Sequence, residues 1–118
     1  ILKMIQFLPR EAVTPTMTAQ GINIAAGEAM GTEHQVRVDI AGVHFRDAAT
    51  TLSNWTITGE STAKVKVESI ELGPDGTYAL FNLKNSAAAV AGSVTVAPKN
   101  AATSTGDVAT AVTIVTVA

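Results

Sequence analysis

The chain has 118 residues, a formal net charge of −2, only 15% charged side chains and no cysteine. That length is the size of one domain and can bury a two-layer core without disulfides or metals. The missing cysteines exclude thiol nucleophiles, thiolate metal sites and redox motifs. The eight basic residues are scattered, with Lys64 and Lys66 the densest pair, so no patch exists to neutralise the phosphates of nucleic acid.

Residues 1–8 are an apolar run interrupted by Lys3 and Gln6. Eight residues suit a strand better than a helix, and Pro9 stops the run. Residues 9–15 read as an extended connector, since Pro15 holds Thr14 out of the helical region. A second strand is expected over residues 18–24, with Gly21 as a weak point or bulge, followed by a loop over 25–32.

The clearest strand covers residues 34–40, with Val36, Val38 and Ile40 on one face and Arg37 and Asp39 on the other. Gly42 ends it, Phe45 follows on a short extension, and 46–53 is a polar connector. Residues 54–58 alternate again, with Trp55 and Ile57 inward. After a turn or loop at 59–63 comes a strand over 64–72, and its phase changes. Val65 and Val67 are odd while Ile70 and Leu72 are even, so only a bulge or a switch of sheet brings all four into one core.

Gly73-Pro74-Asp75-Gly76 is a strong turn signal and predicts a hairpin into residues 78–83, a run apolar on both faces. Residues 86–91 are Ala-rich and compatible with one helical turn. Residues 93–97 alternate through Val94 and Val96, residues 98–107 are a polar loop, and 108–117 form a β-branched strand suited to a central or swapped position. About 7–9 short strands with no amphipathic helix predict an all-β sandwich or barrel.

From residue 34 onward the strings HQVRVDIAGVHFRDAATTLSNWTITG, VKVESIELGPDGTYALFNL and AGSVTVAPKNAATSTG resemble the bacterial immunoglobulin-like domains of surface-layer proteins, adhesins and other long exported proteins. The shared features are a strand ending in Gly, a Phe shortly after it, an Asn-Trp-Thr strand, a hairpin, and an Ala/Gly step into a Val-rich strand. The resemblance implies an immunoglobulin-like β-sandwich over residues 16–118 and a structural or adhesive role at the cell surface or outside the cell. Residues 1–15, the apolar strand and its connector, are not covered by it.

The search for chemistry leaves little. His34 and His44 are ten residues apart on different segments, and Asp75 is the single carboxylate of its turn, so no metal site is expected. None of Ser53, Ser61, Ser69, Ser86, Ser93 and Ser104 stands in a nucleophile motif, Glu68 and Glu71 read as solvated, and no phosphate loop is present. No enzyme and no cofactor are expected. Trp55 is a candidate sugar platform only if it faces outward, and its phase points inward; Asn54-Trp55-Thr56 also has the form of a glycosylation site.

The functional lead is the N-terminal run. Ile1, Leu2, Met4, Ile5, Phe7 and Leu8 carry apolar surface whose burial is worth several kcal/mol at about 25 cal/mol per Å2. They are the candidate subunit interface, either as the first strand of their own sheet or as a strand added to a neighbour's open edge, which would build a filament. The expectation is therefore a structural module that self-associates or packs against neighbouring domains of the same protein. The alternatives are a glycan-binding adhesive domain, using loops 27–33 or 98–107, and a virion component of the tail or capsid-decoration type. No run reaches the roughly 18 apolar residues of a membrane span, so no membrane insertion is expected. The start at Ile1, without a signal peptide, is expected of a processed chain or an excised fragment.

Overall fold

The computed structural model describes residues 14–118. Among them, eight strands form two four-stranded sheets. The first has the order β1 (Thr16–Ala19), β3 (Glu33–Ala41), β6 (Tyr78–Asn85), β5 (Val65–Leu72), and every pair in it is antiparallel. The second has the order β2 (Ile22–Ile24), β8 (Val112–Val117), β7 (Gly92–Pro98), β4 (Trp55–Thr58), with β2 parallel to β8.

Period-two alternation turns one face of each sheet toward a common core. Val36, Val38 and Ile40 of β3 are buried with Ala79, Phe81 and Leu83 of β6, and the second sheet contributes Val94, Val96, Val115, Val117 and Trp55. The Trp55 ring meets Phe81 edge-on at 4.9 Å and Phe45 at 5.4 Å, so the aromatic cluster locks one sheet onto the other.

The phase change in β5 is resolved by a bulge. Val67 pairs with Leu83 and Ser69 with Asn82, leaving Glu68 as the extra residue, so that Ile70 returns to the buried side. A second bulge lies in β8, where Val115 pairs with Val94 and Thr113 with Thr95. Ile114 stands between them, and both Ile114 and Val115 are buried. The 73–76 hairpin forms as its residues predict. The Gly76 N–H donates to the Gly73 carbonyl at 3.1 Å, and Gly76 has φ +67°.

Five sequence expectations need correction. Residues 18–24 are not one strand with a bulge. The chain leaves the first sheet after Ala19 and joins the second at Ile22. Gly21 permits this crossing, because a Cβ there would lie 3.1 Å from the Thr113 carbonyl oxygen. Residues 78–83 are covered on one face only, since Tyr78, Leu80 and Asn82 stay half-exposed on the other. Residues 86–91 form no helical turn; the N–H groups of Ser86, Ala89 and Val90 donate to Lys64, Glu28 and Ala63 of other loops instead. Among the described residues the single α-helical turn is α1 (Glu60–Ala63), within the expected 59–63 loop. The connector at 46–53 folds into 3-10 turns at Asp47–Thr50 and Leu52–Asn54, and the last strand begins at Val112, not 108.

Candidate functional site

The register defines two ends of the sandwich. Thr16 of β1 lies beside Ala41, where β3 finishes, and this is the near end. Val117 of β8 lies beside Ile24, where β2 finishes, and beside Gly92, where β7 starts; this is the far end. Residues 42–54, 73–77 and 99–111 connect strands at the near end, and residues 25–32, 59–64 and 86–91 at the far end.

The near end is closed by large side chains. Trp55 is 3% exposed, and its Nε1–H donates to the Ala49 carbonyl at 2.7 Å, which fixes the 3-10 turn above it. The Phe45 N–H donates to Gly76 and the Arg46 N–H to Ala102, so three loops are tied together. His44 belongs to this lacing: its Nδ1 donates to the Asp75 carbonyl at 2.8 Å, and its main-chain N–H to Ser104 Oγ. Arg46, Asp47, Asp75 and Lys99 are exposed here, with Val108 of loop 99–111 exposed among them at 49%.

The far end is closed by hydrogen bonds between small residues. Gly27 and Glu28 of the first loop exchange bonds with Ala89 of the third, and Val90 N–H donates to Ala63 of the second. Beneath them Asn85 is 1% exposed, and its Nδ2 donates to Glu28 Oε1 at 2.8 Å and to the Ala29 carbonyl at 3.1 Å. The same Glu28 oxygen meets His34 Nε2 at 2.5 Å. The hydrogen bond from His34, opposed in part by desolvation and helped by Asn85, holds the Glu28 carboxyl below its usual range. The second carboxylate of this end, Glu60, accepts the Val67 N–H at 2.8 Å.

Glu28 and Glu60 are thus occupied by internal partners, while Glu33, Ser61, Thr62, Lys64 and Ser86 are exposed around a patch of small and apolar side chains. Ala25, Ala26, Ala29, Ala88 and Ala91 are exposed, together with Met30 at 73% and Val90 at 46%. Isolated exposed apolar side chains are ordinary, but here three mutually bonded loops set them side by side.

The candidate interface residues Ile1, Leu2, Met4, Ile5, Phe7 and Leu8 lie outside the described residues. The sheet edges that could accept an added strand are poorly suited to it. β1, β2 and β4 are short, and β5 carries a bulge, Lys66, Glu68 and the Glu60 carboxylate on its Val67 N–H. Loops 27–33 and 98–107 fall at opposite ends and do not form one surface. Trp55 is a core residue and cannot be a sugar platform. Asn54 is half-buried, and its Nδ2 donates to the Ala48 carbonyl. Glu28 and Asn85 were not legible as a pair, being 57 residues apart.

On the outer face of the first sheet, Arg37 reaches over the Tyr78 ring at 3.8 Å and grips Asp39 at 2.8 Å, a pairing that raises the guanidinium pKa further. Beside it a shallow polar depression of about 490 Å3 is lined by Glu33, His34, Gln35, Glu68, Ser69 and Asn82, among others. Among the described residues there is no group of three or more His, Asp or Glu that could hold a metal ion, and no helix long and apolar enough to cross a membrane. In comparisons with known proteins, no family model, no curated protein and no solved structure matches the chain.

Proposed function

We propose that the chain is a non-enzymatic structural module of an extracellular or cell-surface assembly, an immunoglobulin-like sandwich whose copies join head to tail through the apolar N-terminal segment. The strand order supports the immunoglobulin-like reading. β1-β3-β6-β5 corresponds to A-B-E-D of a constant-type domain and β8-β7-β4 to G-F-C, with β2 as the second half of a split first strand.

The observation that carries the assembly reading is the polarity of the domain. Described chain comes in at the near end at Thr14 and finishes at the far end at Ala118, whose N–H donates to Ile24. A unit with its two connections at opposite ends extends into a line, and a heterologous contact of that kind does not close on itself. Strand addition to a neighbour's edge is one form such a joint can take.

The test is sedimentation of the full chain against its Ile5→Lys/Phe7→Lys variant. The expected result is large, heterogeneous assemblies for the former and a monomer with an unchanged melting midpoint for the latter. Two monomers would end the head-to-tail reading. A glycan-binding surface is the second reading, favoured by the polar depression with its Gln35–Asn82–Ser69 hydrogen-bond ladder. Its mark is glycan capture that is lost in Gln35→Ala/Asn82→Ala.

A further inference from the structure

We infer that the apolar far end, formed by loops 25–32 and 86–91 around Met30 and Val90, is the docking surface for residues 1–8 of a second copy of the chain. The inference rests on the head-to-tail reading and names the surface that reading needs.

Three observations converge on it. The far end sets exposed Met30 and Val90 among five exposed alanines, and the carboxylates within its loops, Glu28 and Glu60, are held by internal partners, so docking over loops 25–32 and 86–91 strands neither of them. Residues 1–8 supply six apolar side chains that need such a cover. The described sheet edges are short, bulged or capped, whereas the far end sets Met30 and Val90 in solvent side by side.

Reach selects a second copy over the chain's own far end. Residues 1–13 attach at Thr14, at the near end. The connector 9–13 spans at most about 17 Å when fully extended. The nine residues of β3 separate the two ends by about 30 Å. The connector therefore leaves Phe7 and Leu8, which follow it, short of the chain's own far end, so the segment cannot cover that end as a whole, whereas in a head-to-tail line the neighbour's far end adjoins the near end.

The absence of native cysteine allows a clean crosslinking test on the full chain. Met4→Cys combined with Met30→Cys should give, on mild oxidation, a ladder of covalent multimers. Met4→Cys combined with Lys66→Cys on the β5 edge, or with Thr18→Cys on the β1 edge, should not. A ladder from the edge pairs alone would overturn the far-end surface while leaving the head-to-tail reading intact. So would an assembly in which Met4→Cys/Met30→Cys gives no ladder, or only an internally closed monomer. If every variant sediments as a monomer and none crosslinks, both ideas fall. Independently, Met30→Lys/Val90→Glu should weaken assembly at least tenfold with an unchanged melting midpoint, because both side chains point into solvent; unchanged assembly would count against the surface.

Discussion

The two ends of this sandwich are closed by different physics. At the near end a tryptophan and two phenylalanines fill the space between the sheets, and loops are laced over them, leaving four charged side chains and Val108 in solvent. At the far end no Trp, Phe or Tyr ring among the described residues plugs the core. Alanines and glycines come close enough for three loops to bond to one another, with a buried asparagine and an acid–histidine contact beneath. A large plug buries its own apolar surface and lets the rim be polar. A closure made of small residues leaves methyl groups facing water, and that surface is available to a partner.

The comparison breaks most visibly at the plug. Trp55→Ala should cost about 3–5 kcal/mol in chemical denaturation, since it removes a buried ring and the hydrogen bond to Ala49. A cost under 1 kcal/mol would mean that the near end does not depend on the aromatic cluster.

At the far end the equivalent residue is Asn85. Replacing it with Ala should cost about 1–3 kcal/mol, and amide exchange should speed up first in loop 25–32, which its side chain ties to β6. Uniform acceleration across both sheets would show that the asparagine supports the whole fold and not one end.

Met30→Ala should lie within about 0.5 kcal/mol of the parent. A larger loss in the isolated chain would mean that Met30 is already covered. The smallest effect concerns Glu28. Its folded carboxyl titrates below the ordinary value of about 4.3, so its contribution is present above that pH and is lost as pH falls through the folded value. Melting midpoints of the parent and Glu28→Gln should differ at neutral pH and converge in acid. Parallel curves down to acid pH would show that the carboxylate is not the group being stabilised.

Much of the fold was legible because its signals are local. The alternation of Val36, Val38 and Ile40, the 73–76 turn and the broken phase between Val67 and Ile70 each report on one strand, and one strand's face is set by its own period of two. The splitting of residues 16–24 between two sheets was not legible. Gly21 announces a weak point in a strand, but only the Thr113 carbonyl above it makes that point a crossing. The Ala-rich residues 86–91 have helical propensity, and the tertiary bonds they donate to the carbonyls of Lys64, Ala63 and Glu28 override it.

The apolar residues 1–8 and the inward Trp55 could be read from residue type and phase alone, because hydrophobicity and period belong to a segment by itself. The bare far end was beyond that reading. Met30, Val90 and five alanines are dispersed over residues 25–91, unremarkable one by one. Only the pairing of Gly27 and Glu28 with Ala89, and of Val90 with Ala63, gathers them into one surface. Periodicity carries information about neighbours along the chain, whereas a surface is made of neighbours in space, and those were decided by the tertiary fold.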